Sequence, residues 1–202
     1  MALLILLRHG ESVWNLENRF TGWIDVELSK KGKQEAEAAG NNLEDIPIDK
    51  VYTSVLKRAI HTCDIALKVA KNKALPTVRD QALNERHYGD LQGLNKAETA
   101  RKFGAEQVHI WRRSYDVAPP HGESLKDTAA RTLPYFKQYV MADLRAGKNI
   151  LIVAHGNSLR SIVMELDQMT KEQVLELNIP TGIPIVYEFD SNLKIKSKKT
   201  LS

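Results

Sequence analysis

Apolar and polar positions follow two different periods along this chain. Residues 3–7, LLILL, are an uninterrupted apolar run that ends at Arg8, His9 and Gly10. Residues 150–154, ILIVA, are a second such run, ending at His155 and Gly156. Short apolar runs closed by a glycine turn are the pattern of strands buried on both faces of a parallel sheet. Between them the period is mostly helical. Ser29 is a candidate N-cap for a helix reaching Leu43, with Ala36, Ala39, Gly40 and Leu43 on one face. Residues 51–53 predict a brief strand running into a helix, with Ser54 near its cap and Leu56, Ala59, Ile60, Cys63 and Leu67 at helical spacing.

Further along, residues 75–80 predict a short strand, and residues 96–103 and 106–112 two short helices. The segment 114–124, SYDVAPPHGES, is an irregular connection because its adjacent prolines block helix, and Ser124 then opens a long helix to about Arg145. IPIVYEFD, 183–190, has the β-branched and aromatic content of a strand, and LKIKSKK after it reads as an edge strand whose lysines discourage edge pairing. The lysine-rich end, 191–202, is also expected to behave as a mobile tail. Strands alternating with helices, with no repeat or linker, predict one α/β domain over residues 1–202. Its three layers are a mainly parallel central sheet with helices on both faces.

Composition narrows the classes. With 202 residues, 43% hydrophobic and 27% charged, the chain can bury a substantial core, which removes disordered and fibrous classes; the mean hydropathy of -0.36 agrees. The N-terminal run is too short for a membrane span of about 20 residues and lacks a basic flank, so neither a membrane anchor nor a signal peptide is expected. A single cysteine, Cys63, is compatible with a reducing cytoplasm. The net charge of +4 favours anionic partners, although four lysines in KIKSKK, 194–199, carry much of the excess. Nucleic-acid binding would ask for cations along one face with interleaved aromatics. Here they are dispersed around strand ends and loops, and a non-catalytic anion-binding module is the remote alternative to an enzyme.

In an open α/β sheet, ligands bind beyond the carboxyl ends of the strands. Arg8-His9-Gly10 and His155-Gly156-Asn157 both sit at such ends, so the two histidines can face one another across one site. A glycine after each lets a backbone N–H approach an anion, and Arg8 adds a planar donor fork suited to phosphate. Arg58, Arg86, Lys96, Arg112 and Arg113 are further phosphate-suited cations, each on its own no more than a solvated surface charge. His61, His87, His109 and His121 read as structural or surface residues, Cys63 as a buried helix residue, and Trp14, Trp23 and Trp111 as packing around the site entrance or, more commonly, core filling.

The blocks RHGESVWNLENRFTGWIDVELSKKG, YTSVLKRAIHT, LNERHYGDLQGLNKAET, WRR, and AHGNSLR followed by LNIPTGIP cover nearly the whole chain in order. Together they closely resemble the cofactor-dependent phosphoglycerate mutases of the histidine phosphatase superfamily. The resemblance implies that fold, with His9 as a nucleophile that carries the phosphoryl group. It implies that His155 donates to the transferring oxygens, that Glu85 is the general acid/base, and that Arg8 and Arg58 are their catalytic cations. By the same matching the substrate site is lined by Arg8, His9, Gly10, Glu11, Ser12, Asn15, Thr21, Gly22, Arg58, Glu85, Arg86, His87, Tyr88, Lys96, Arg112, Arg113, Gly156 and Asn157. The implied activity is interconversion of 3-phosphoglycerate and 2-phosphoglycerate in glycolysis and gluconeogenesis. It is primed by 2,3-bisphosphoglycerate, needs no metal, and takes small phosphoglycerates as partners.

Two consequences are chemical. Arg8 and Arg58 should pull the pKa of His9 below about 6.5 and keep it neutral for attack, whereas Glu85 should have its pKa raised above about 4.3 to serve as an acid. The chain departs from longer members in lacking an insertion between WRR and Ser124. Its PPHGES junction resembles the phosphatase branch, which makes a phosphatase of small phosphorylated metabolites the alternative and brings Glu123 toward the site. The sequence leaves open both homo-oligomer and monomer.

Overall fold

Strand β1 (Ala2–Arg8) turns Leu4 and Leu6 to one face and Ile5 and Leu7 to the other, and all four are fully buried. A strand without a polar face must lie inside a sheet covered on both sides. The computed structural model describes residues 1–71 and 74–201 and places β1 there. Among the described residues the other strands are β2 (Lys50–Thr53), β3 (Thr77–Arg79), β4 (Ile150–Ala154), β5 (Ile185–Phe189) and β6 (Ile195–Thr200). They form one six-stranded sheet of order β3-β2-β4-β1-β5-β6. β3, β2, β4 and β1 are parallel, while β5 runs antiparallel to β1 and β6 antiparallel to β5.

The helices are α1 (Val13–Leu16), α2 (Lys30–Leu43), α3 (Lys57–Val69), α4 (Lys96–Phe103), α5 (Ala105–Arg113), α6 (Leu125–Tyr135), α7 (Met141–Arg145), α8 (Gly156–Leu166) and α9 (Lys171–Glu176). One face of the sheet packs Ile5, Leu7, Val51, Leu151 and Val153 against Ala39 and Leu43 of α2 and Cys63 and Ala66 of α3. The other packs Leu4, Leu6, Ile150 and Ile152 against Phe136, Val140, Leu144, Leu159 and Ile162. The result is a single α/β domain with the mainly parallel sheet between two helical layers, as the alternation of strands and helices required. Ser29 caps α2 by accepting from the Gly32 N–H at 3.0 Å, and Gly40 lets α3 approach, since a Cβ there would lie 2.6 Å from the Ala66 carbonyl.

Two local expectations need correction and one is extended. The long helix from Ser124 is interrupted: a π turn, Phe136–Val140, follows Pro134 and joins α6 to α7. Proline inside a helix has no N–H for the carbonyl four residues back, and a wider turn is a common accommodation. Ser54 lies near the start of α3 as expected, two residues before the N-cap position Leu56, whose N–H its hydroxyl accepts, and it also meets His155. The segment expected as a mobile tail is largely the edge strand β6, tied to β5 by ladder pairs and by Lys196 on Glu188, and to the end of α8 by Lys198 on Asp167; its last residue, Ser202, lies outside the described residues.

Candidate active site

Strand register assembles the centre. β1 and β4 are neighbours with Arg8 opposite Ala154, and β4 and β2 are neighbours with Thr53 opposite Val153. The residues that follow these strands, His9, His155 and Ser54, therefore emerge in a row at one end of the sheet. The His9 N–H donates to the Ala154 carbonyl at 3.0 Å, and the two imidazole rings lie 4.9 Å apart, tilted by 59°. Both histidines are buried.

His9 Nδ1 lies 2.7 Å from the carbonyl of Gly10, an acceptor only, so Nδ1 carries the hydrogen and Nε2 keeps its lone pair. Burial, then the charges of Arg58 and Arg8, push the pKa of His9 well below the usual value, against a smaller opposing effect of the Gly10 bond. His155 is lowered by burial first and then by Arg58. Two neutral, closely spaced imidazoles follow.

The cations are held by backbone carbonyls rather than by carboxylates. Arg8 donates to the Ile179 carbonyl at 2.8 Å, and Arg58 to those of Ile24 at 3.0 Å and Gly22 at 2.7 Å. Gly22 reaches this place with φ of 56°, and a Cβ there would strike the Gln92 side chain. Burial lowers the pKa of Arg58 to about 10, which still leaves it charged at neutral pH. Each guanidinium keeps a buried Nε without a partner. Such orphaned donors are costly unless an anion meets them.

Glu85 is fully inside the site, and its Oε1 accepts from the backbone N–H of Arg86 at 2.8 Å and of Asn157 at 3.0 Å. Burial alone would raise its pKa, but the Arg86 N–H, Arg8, the Asn157 N–H and Arg58 together outweigh burial and lower it. The raised pKa expected for Glu85 is thus not found: the same cations that prepare His9 hold this carboxyl ionised. The Asn157 bond comes from the first turn of α8, so the helix N-terminus reinforces the effect.

A second set of residues fixes Glu85 from behind. Arg131 on α6 donates to the carbonyls of Ala82 at 3.0 Å, Asn84 at 3.1 Å and Glu85 at 2.8 Å. Its Nε reaches Glu123 at 2.8 Å, while Glu123 also accepts from the His87 N–H at 2.9 Å. Trp23 donates its indole N–H to the Glu85 carbonyl at 2.5 Å and lies under the Arg131 guanidinium. Glu123, expected at the site, therefore acts one layer behind it, and Trp23 is not mere core filling.

The cleft above these groups is lined by Arg8, His9, Asn15, Thr21, Gly22, Arg58, Glu85, Tyr88, Lys96, Arg112, Arg113, Gly156 and Asn157, all anticipated from the sequence. Five anticipated residues lie off it. A Cβ on Gly10 would lie 2.1 Å from the Gly32 carbonyl, so that glycine admits α2 rather than an anion. Glu11 takes the Ser29 hydroxyl at 2.7 Å, and Ser12 caps α1. Arg86 donates from one nitrogen to Tyr88 and the Arg112 carbonyl while its buried Nε has no partner, and His87 Nδ1 accepts from the Gly89 N–H. Burial of Lys96 lowers its pKa.

The sequence reading missed Arg19, Phe20, Arg160, Leu177, Asn178 and Ile179 in the wall, and Ser54 and Arg131 behind it. Arg160 had a signal, since it stands one helical turn beyond Asn157, whose Oδ1 it reaches at 3.2 Å. The others are brought in by long-range packing. Buried donors without partners, Arg8 Nε, Arg58 Nε, Arg160 Nε and Thr21 Oγ1, belong to residues of this one cleft and fit a small molecule carrying several negative charges. No group of three or more His, Cys, Asp or Glu among the described residues is arranged to hold a metal ion. Nor is any described helix long and apolar enough to cross a membrane.

Residues 4–196 match the model of the histidine phosphatase superfamily (branch 1). The chain is 54% identical over 200 residues to a 2,3-bisphosphoglycerate-dependent phosphoglycerate mutase of Rhizobium meliloti, with 98% of this chain and 95% of that one covered. It is 51% identical over 225 residues to a protein of the same name from Lachnoclostridium phytofermentans, covering 98% and 90%. Among solved structures it resembles a mycobacterial glucosyl-3-phosphoglycerate phosphatase, with TM-score 0.84, 25% identity and coverage of 99% and 97%. Bacillus stearothermophilus YhfR is similar at TM-score 0.84 and 28% identity, with coverage of 96% and 94%.

Proposed function

The chain belongs to the histidine phosphatase superfamily, branch 1, and from that membership we propose that it interconverts 3-phosphoglycerate and 2-phosphoglycerate by phosphoryl transfer at His9. The single observation that carries the choice of reaction is the 54% identity, over nearly the full length of both chains, to a relative named for that activity. The missing insertion does not weigh against it. The Lachnoclostridium alignment spans 225 positions, more than the 202 residues of this chain, while the Rhizobium one spans 200, and both proteins carry the mutase name.

2,3-Bisphosphoglycerate, when bound, supplies the phosphoryl group that primes His9. His9 offers Nε2 because Gly10 holds the hydrogen on Nδ1. Arg8, Arg58 and the N-terminus of α8 stabilise the charge on the transferring oxygens, and His155 donates to them. Glu85 takes the proton of an attacking substrate hydroxyl and returns one to a departing oxygen. A phosphoryl dianion beside Arg8 and Arg58 offsets the potential that keeps Glu85 ionised, so its pKa rises at the stage that needs an acid. Arg112, Arg113, Lys96 and Arg19 line the same cleft and fit the second anionic end of a phosphoglycerate. The setting is glycolysis and gluconeogenesis in the cytoplasm, with which the single, buried Cys63 agrees.

The neighbours named as phosphatases support a second reading, in which water instead of a glycerate hydroxyl takes the phosphoryl group from His9. Turnover of 3-phosphoglycerate with and without added 2,3-bisphosphoglycerate, with inorganic phosphate followed in parallel, separates the two. The expected result is bisphosphate-dependent isomerisation with little phosphate released. Phosphate as the main product overturns the mutase assignment, and an acid-labile label that survives His9→Ala overturns the role of His9.

A further inference from the structure

Arg160 stands in α8 one turn beyond Asn157 and is buried in the wall of the cleft. Its guanidinium spans two helices. One nitrogen donates to Asn157 Oδ1 at 3.2 Å, and another donates to the carbonyls of Val174 at 2.5 Å and Leu175 at 3.2 Å. All three acceptors are neutral, so they hold the group without cancelling its charge. One planar fork thus joins the first turn of α8, whose Asn157 N–H holds Glu85, to the last turn of α9.

The α9 side of this tie has little else to hold it. Val174 is the one buried residue of its six, and its last turn carries no basic residue of its own. The last carbonyls of a helix lack partners further along it. Those of Val174 and Leu175 take Arg160, with the Leu177 N–H at 3.3 Å and Arg113 at 3.4 Å as longer supplements. Directly after α9, Leu177, Asn178 and Ile179 form cleft wall, and the Ile179 carbonyl accepts from Arg8 at 2.8 Å. What Arg160 fixes therefore reaches both the closure of the cleft and the seat of Arg8.

In the reaction proposed above, a phosphoryl group on His9 has two acceptors open to it. Transfer to a glycerate hydroxyl gives an isomer. In transfer to water, the Nε2–P bond breaks, a P–O bond to the water oxygen forms, the water proton passes to Glu85, and inorganic phosphate leaves. Enclosure decides between the two, because a closed wall excludes water and keeps the glycerate in place. We propose that Arg160 is a positioning residue that ties the 177–179 wall to α8 and thereby favours transfer to the glycerate over transfer to water. This rests on the phosphoryl-transfer reading of the site.

Arg160→Lys keeps a positive charge at this point of the wall but loses the fork. In this variant isomerisation of 3-phosphoglycerate should fall by roughly 10- to 100-fold while phosphate release falls less, so that phosphate formed per isomerisation rises roughly 10-fold. Loss of folded enzyme would lower both rates in proportion, so an unchanged ratio overturns the proposal, as does isomerisation at the native rate. Hydrogen exchange over residues 171–179, followed by mass spectrometry without substrate, reads the tie itself. Exchange should be slow in the native protein and faster in Arg160→Lys. If the native segment exchanges like an unstructured peptide, the proposal falls even where the variant folds poorly. If native protein takes no acid-labile phosphoryl label on His9, the functional reading itself fails, an outcome separable from the first because exchange is read without turnover.

Discussion

The two ends of the same parallel strands treat charge in opposite ways. At the amino end, Asp143 of α7 accepts from Lys50 at 2.7 Å, Tyr52 at 2.5 Å and Lys148 at 2.7 Å. Burial works against its ionisation, but Lys148, Lys50 and Tyr52 hold its carboxyl well below the usual range. Asn149 completes the arrangement by accepting from the Leu3 N–H at 2.9 Å and donating its own N–H to Asp49 at 2.7 Å. Each of these groups has a partner. At the carboxyl end, Arg8, Arg58, Arg160 and Thr21 keep unpartnered buried polar atoms, and the three guanidinium groups donate to carbonyls that cannot neutralise them. Paired charges join strands and helices; unpaired ones are left for a ligand. Residues that recognise an anion cannot also be satisfied within the fold, which is why a site is often less stable than it could be made.

Arg131 tests where that division lies, because it is fully paired yet serves the active end. Arg131→Lys keeps a charge beside Glu123 but loses the planar fork that grips the carbonyls of residues 82, 84 and 85. The expected outcome is a fall in kcat of roughly 10-fold or more, with the fold intact by circular dichroism. An unchanged kcat would place Arg131 with the purely structural pairs. Asp143→Asn is the converse. It should leave kcat/KM within about twofold while lowering Tm by roughly 3–6 °C, as loss of about 1–2 kcal/mol does in a domain of this size. A drop in turnover as large as that of Arg131→Lys would erase the contrast.

The smallest effect is in pH dependence. The pKa values of His9 and His155 are depressed in the folded protein. The unfolded chain therefore binds more protons below about pH 6.5, and stability rises with pH through that window. Stability from these histidines is present above about pH 6.5 and is lost as pH falls toward their folded values. Glu85, depressed as well, adds its loss only below the usual carboxylate value, near pH 4.5. Urea midpoints measured from pH 7.5 to 5.5 should decline in the native protein and decline less in His155→Gln. Parallel slopes would mean that His155 is not buried in its neutral form.

Much of the fold was legible because its signals are local. Apolar runs without a polar face specify central strands, and the caps at Ser29 and Ser124 mark helix starts. Histidines directly after two such strands point to one end of a sheet, and the matched motif blocks supply most of the cleft. The misreadings share a cause. Ser54 read only as a residue near a helix cap, and its partner His155, 101 positions away, left no local signal. Gly10 read as room for an anion, yet the space it leaves is filled by Gly32 of α2. Glu85 read as an acid, while its ionisation depends on Arg8, Arg58 and Asn157, drawn from three other parts of the chain. Arg131 gave no signal, because apart from Glu123 its partners are backbone carbonyls, which every residue has.

The amino-acid sequence by itself determined the architecture, the membership of the family and the identity of the two histidines, because burial period and residue type are properties of short segments. Only the tertiary structure decided which nitrogen of His9 holds its hydrogen, which way Glu85 is displaced, and which cations are free to meet a ligand. Those are set by distances of a few ångströms between atoms far apart in the chain, and strand register, not sequence spacing, fixes them.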